Sequence, residues 1–101
     1  DLTFKQFRNL RLLDLSSNQL VTFPLVVREC PKLEILRLIF NKIPDIPAAF
    51  FTSESIKKGL QELNMNSNPI KEINTAIGSL ECLKILGISY TEVEEIPKTV
   101  T

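Results

Sequence analysis

The chain has 101 residues, twelve basic and twelve acidic side chains, two cysteines and no histidine. This length allows one domain with a thin core, and zero net charge excludes a broad positive field that would hold nucleic acid or an anionic membrane. The missing histidine removes the commonest general base and the commonest metal ligand, so no enzyme and no cofactor are expected.

Asp1 to Asn9 reads as the tail of a preceding unit. Cys30 and Val27 stand three and six positions before Leu33, and Phe7 and Phe4 stand at the same offsets before Leu10. From Leu10 the chain runs L-R-L-L-D-L-S-S-N-Q-L-V-T-F-P, and the same frame returns from Leu33, Leu60 and Leu83. The starts are 23, 27 and 23 residues apart, which marks a four-residue insertion in the second unit. Apolar residues fill positions 1, 4, 6, 11 and 14 of all four units, from Leu10, Leu13, Leu15, Leu20 and Phe23 to Leu83, Leu86, Ile88, Val93 and Ile96. With 44% hydrophobic residues, twenty such hits by chance have a probability on the order of 10⁻⁷. The expected organisation is therefore a single repeat domain over 1–101: a partial unit at 1–9, units at 10–32, 33–59 and 60–82, and an incomplete one at 83–101, cut from a longer array.

Within the first unit, the segment around Leu13 and Leu15 predicts a short strand with both leucines pointing inward. Asn18 ends it, and recurs as Asn41 and Asn68. An amide at this place can pair loop backbone groups that would otherwise be buried unsatisfied, so the three form a structural ladder. Thr91 holds the fourth position and supplies a hydroxyl that can substitute only in part. Pro24, Pro47 and Pro97 open the return segments, where a fixed φ suits the start of a short helix. Asn74 takes that place in the third unit as a candidate N-cap.

The insertion falls within Pro47 to Gly59. A helix is expected over Pro47 to about Thr52, then a polar bulge before Leu60, with at least one of Phe50 and Phe51 filling the core and Lys57-Lys58 as a solvated patch. Cys30 and Cys82 are both read as buried free thiols, which with the absence of an Asn-x-Ser/Thr sequon and of a signal-peptide pattern points to the cytoplasm. No stretch approaches the roughly 20 apolar residues that cross a bilayer. The carboxylate neighbours Glu94-Glu95, and Asp45 near Glu54, read as solvated charge, and the three glycines, Gly59, Gly78 and Gly87, form no phosphate-cradling loop.

The pattern L-x-x-L-x-L-x-x-N-x-L-x-x-Φ-P at a 23-residue period resembles the leucine-rich repeat family over essentially the whole chain, in the intracellular class of Ras-suppressor and Scribble type. A narrower resemblance joins Cys30-Pro31-Lys32-Leu33-Glu34, Ile46-Pro47 with Phe50-Phe51, and Ile88 to Pro97 to the repeats of plant nucleotide-binding immune receptors. The first resemblance implies an α/β fold: a right-handed solenoid with short parallel strands on a concave face, helical or irregular returns on the convex face, and a protein ligand bound across the strands. The expected function is a protein–protein interaction module in a scaffold or signalling role; the second resemblance implies instead the ligand-sensing region of a multidomain receptor.

If positions 4 and 6 of each unit point inward, positions 3, 5 and 7 point to the open face. These rows are Leu12, Ile35, Glu62 and Ile85; Asp14, Arg37, Asn64 and Gly87; Ser16, Ile39, Asn66 and Ser89. Position 8 adds Ser17, Phe40, Ser67 and Tyr90. The candidate partner-binding residues are Leu12, Asp14, Ile35, Arg37, Ile39, Phe40, Glu62, Asn64, Ile85 and Tyr90, with Arg37, Phe40 and Tyr90 as the expected energetic anchors. Units without dedicated caps also predict end-to-end self-association through exposed core.

Overall fold

Four three-residue strands, β1 (Leu12–Asp14), β2 (Ile35–Arg37), β3 (Glu62–Asn64) and β4 (Ile85–Gly87), pair in sequence order into one parallel sheet. The computed structural model describes residues 8–94; Phe4, Phe7, Glu95, Ile96 and Pro97 lie outside them. The register places Leu13, Leu36, Leu63 and Leu86 in one line, and Leu12, Ile35, Glu62 and Ile85 in the next. Residues equivalent in the repeat are therefore neighbours in space, one strand spacing apart. The fold is an α/β solenoid of stacked coils.

The inward leucines make one continuous core. Leu36, Leu38, Ile43, Leu60, Leu63, Met65 and Ile70 are fully buried, while Leu10, Leu13 and Leu15 in the first coil and Leu83, Leu86 and Ile88 in the fourth are half-buried against that cluster. A parallel sheet only three residues deep has few ladder hydrogen bonds, so burial of apolar surface, about 25 cal/mol per Å², carries most of the stability.

Beyond each strand the loop backbone is completed by the ladder. Asn41 donates through Nδ2 to the carbonyls of Leu15 (3.1 Å) and Leu38 (3.0 Å), and its Oδ1 accepts from the amides of Asn18 (3.0 Å) and Leu20 (2.9 Å). Asn68 repeats this one coil later, donating to Leu38 (2.8 Å) and Met65 (3.0 Å) and accepting from Ile43 (3.1 Å). Both amides are buried. Asn18 is exposed and donates to the Ser16 carbonyl (3.2 Å). The Thr91 hydroxyl donates to Ile88 (2.7 Å) and accepts from Val93 (3.3 Å), both within its own coil.

The return segments differ between coils. The first and third use 3₁₀ helices, Leu25–Glu29 and Thr75–Ser79, and Asn74 caps the latter by accepting from the Ala76 amide (2.8 Å). The second coil holds two α-helices, α1 (Ala48–Phe51) and α2 (Glu54–Gly59). This corrects the expectation of a polar bulge after Thr52. Ser53 turns extended and its carbonyl accepts from the Lys57 amide (2.9 Å), Ile56 is buried as an apolar anchor, and Glu54 at the start with Lys57 and Lys58 at the end match the helix dipole. The two lysines are paired with Glu54 at 3.5 and 3.8 Å instead of simply solvated, although exposed pairs of this kind contribute at most about 1 kcal/mol.

Phe50 and Phe51 are both buried, and Phe50 meets Phe23 and Phe51 edge-on with centroids 4.8 and 5.5 Å apart. Helix α1 thus packs against both 3₁₀ helices and ties three coils together on the outer side. Cys30 is buried, and loss of hydration followed by the nearby Glu29 charge pushes its thiol pKa up. Cys82 is exposed, which corrects its assignment to the core. It stands one place before the frame leucine, where the other coils carry Lys32 and Gly59, and its Sγ lies 3.3 Å from the Lys58 carbonyl.

Candidate partner-binding face

Side chains at positions 3, 5 and 7 leave the sheet opposite the core, but they do not form an even surface. In the first row Leu12 is 44% and Ile85 is 54% exposed, Ile35 is half-buried, and Glu62 is only 8% exposed. Glu62 is held there by Arg37 on the neighbouring strand, which donates from Nε to Oε2 (2.9 Å) and from NH2 to Oε1 (3.4 Å). The paired fork keeps the Glu62 carboxyl below the usual carboxylate range, with a further hydrogen bond from Asn64, and raises the Arg37 guanidinium further. A carboxylate this enclosed is stable as an anion only because both oxygens are bonded to a cation.

The central row continues that network. Asp14 accepts from the Ser16 amide (3.0 Å); hydrogen bonding with the Ser16 side chain first, and then with that amide, lowers its pKa, and the Arg37 charge adds a smaller effect. Asn64 accepts from the Asn66 amide (3.1 Å) and Asn66 accepts from the Ser89 amide (2.8 Å). Their two carboxamides lie across β4, where a Cβ on Gly87 would collide with both Asn64 Oδ1 and Asn66 Oδ1. Gly87 is therefore the space into which the network folds. Arg11 and Glu34, one position before the first row, form a further pair at 2.9 Å. Most charge on the strands is thus neutralised within the sheet itself, with Asp14 left exposed at one side.

At the far end of the strands the backbone turns left-handed at the eighth position of every coil, with φ of 60° at Ser17, 57° at Phe40, 61° at Ser67 and 56° at Tyr90. For a residue with a Cβ this region costs roughly 1–2 kcal/mol. Serine suffices in two coils, yet the other two carry aromatic rings that are 66% (Phe40) and 90% (Tyr90) exposed and so return little by packing.

The ten sequence-predicted residues therefore divide. Leu12, Ile85, Phe40 and Tyr90 are open to a partner, and Ile35 and Ile39 are half-open. Arg37, Glu62 and Asn64 are bonded to one another, and Asp14 is exposed beside them. Sequence reasoning missed Gly87 as a spacer and Asn66 as its neighbour. A glycine in a strand where other coils carry Asp14, Arg37 and Asn64 was the available signal. Among the described residues no group of three or more metal-ligating side chains lies together.

Residues 8–50 match the family model described as Leucine Rich repeats (2 copies), and residues 59–80 match that of the Leucine Rich Repeat. The unmatched 51–58 between them contain most of α2. An adenylate cyclase of Schizosaccharomyces pombe (strain 972 / ATCC 24843) is 33% identical over 88 residues, covering 87% of this chain and 5% of that protein. Leucine-rich repeat serine/threonine-protein kinase 1 of Caenorhabditis elegans is 34% identical over 88 residues, covering 84% and 4%. The chain thus spans a small fraction of the length of the curated relatives it matches.

Proposed function

The chain belongs to the leucine-rich repeat family, and from that premise we propose that it is a protein-binding module that holds a protein partner across its strand face in a scaffold or signalling role. The supporting observation is the distribution of exposure. Large apolar side chains, Leu12, Ile85, Phe40 and Tyr90, stand in water on both flanks of a polar row whose charges are largely satisfied internally. Exposed large apolar side chains on a folded domain gain free energy when a partner covers them. Catalysis is assigned to neither the face nor the loops, in keeping with a chain that lacks histidine. The reading includes a cytoplasmic location, supported by the two free thiols, Cys30 and Cys82.

Arg37 is a poor probe of this face, because Arg37→Glu would set two carboxylates against each other beside Glu62. The sharper variant is Leu12→Ser with Ile85→Ser, which alters exposed side chains only and sets no charge beside Glu62, the neighbour of Ile85 across the strands. Affinity capture with the wild-type chain should retain a partner that the double variant loses by about tenfold or more, with unchanged circular dichroism. Equal capture by both proteins would remove the strand face from the proposal.

A further inference from the structure

Phe40 and Tyr90 occupy the same position two coils apart, with Ser67 between them, on the edge of the sheet beyond the strands. Two strand spacings amount to about 9.6 Å. In a polyproline II helix, residues i and i+3 share one face and are about 9.3 Å apart. Other backbones fit less well. In an extended strand, residues on one face are about 6.7 or 13.4 Å apart, and in an α-helix about 6 or 10.5 Å apart.

Between the rings, Asn66 is half-buried and its Oδ1 is used by the Ser89 amide, which leaves Nδ2 to donate. The carbonyls of a polyproline II segment have no internal partners and can accept that bond. Two residues beyond the rings stand Lys42 and Glu92, both exposed and neither in an ion pair among the described residues, with Pro69 at the same place in the coil between. The edge therefore carries a positive charge two residues beyond Phe40, while beyond Tyr90 Glu92 and Glu94 share a recess with Lys71, two carboxylates to one ammonium, which leaves that end net negative. A second copy of this chain or a globular partner needs on the order of 800 Å² per side, far more than two rings and the turn between them provide. A short segment does not.

We propose that Phe40 and Tyr90 form a docking edge for a proline-rich segment in polyproline II conformation, laid across the second to fourth coils with its acidic end over Lys42 and its basic end over Glu92. This rests on the reading of the chain as a protein-binding module and names the chemistry of what it takes. Aromatic rings suit prolines because the ligand is already ordered and its rings stack on theirs.

The sequence holds one tyrosine and no tryptophan, so intrinsic emission reports Tyr90 alone. Titration with the peptide acetyl-EPPPPR-amide should give a saturable change in that emission, and acetyl-EGGGGR-amide should not. Phe40→Ser and Tyr90→Ser place at each turn the residue that Ser17 and Ser67 already carry there, so both variants should melt near wild type while calorimetry shows affinity reduced by about tenfold or more. Lys42→Glu should weaken binding by about two- to fivefold, the range of an exposed ion pair. No saturable response at millimolar peptide, equal binding of the glycine peptide, or full affinity in Phe40→Ser would each overturn the docking edge. If any of these occurs while Leu12→Ser with Ile85→Ser still loses its captured partner, the module reading stands without it.

Discussion

The second and third coils are built differently from the first and fourth, although all four follow one template. Leu36 and Leu63 are fully enclosed, whereas Leu13 and Leu86, at the same place in the repeat and in register on the same sheet, are half-buried. Asn41 and Asn68 are buried amides spanning two coils, whereas Asn18 is exposed and Thr91 bonds only its own turn. The difference lies in the neighbours. In a stack, a side chain's environment is supplied by the coils above and below, so identical sequence slots have unequal energetic weight.

The largest test of this contrast is Leu63→Ala against Leu13→Ala. The enclosed site should lose about 2–5 kcal/mol, and the half-buried one about half as much, measured by urea unfolding of each. Next comes the ladder. Asn68→Ala leaves loop carbonyls and an amide buried without partners and should cost about 1–3 kcal/mol, whereas Asn18→Ala should shift the same unfolding midpoint only slightly. A smaller effect of opposite sign is expected from Thr91→Asn, which would restore an amide able to reach back to the third coil and gain about 1 kcal/mol. Failure of these pairs to separate would show that position in the stack does not set the weight of a residue.

The smallest expected effect concerns protonation. Glu62 and Asp14 have pKa values below those of ordinary carboxylates, so below their unfolded values, near 4.3 and 3.9, the unfolded chain binds more protons than the native one. Their contribution is present above those values and is lost as pH falls through the lower native ones. Urea midpoints should drop between pH 6 and pH 3, and Glu62→Gln should show a shallower drop.

Much of this was legible in the chain. The line of Leu13, Leu36, Leu63 and Leu86, the role of Asn41 and Asn68, the Asn74 cap and the burial of a phenylalanine from the insertion all follow from position in the repeat, because register makes sequence period and spatial neighbour the same thing. What escaped was diagonal or local. The pairing of Arg37 with Glu62 joins position 5 of one coil to position 3 of the next, which no single row displays. Helix α2 depends on Ile56 finding a pocket under an otherwise polar segment. The exposure of Cys82 follows from a one-residue offset, and the left-handed turn at Phe40 and Tyr90 lacks the glycine that usually announces one. For the partner face, the outward rows could be assigned, but which members are free and which are already bonded could not.

The ladder amides also point one way. Asn41 completes the turn that ends in Leu20, and Asn68 the turn that contains Ile43, so each coil's loop is sealed by its successor. Peeling away a later coil strands the amides of the one before it, while removing an earlier coil leaves bonds such as that from Asn41 to Leu38 in place. The array accordingly unzips with a polarity: amide hydrogen exchange at Leu20 should follow the opening of the second coil, and exchange at Ile43 the opening of the third.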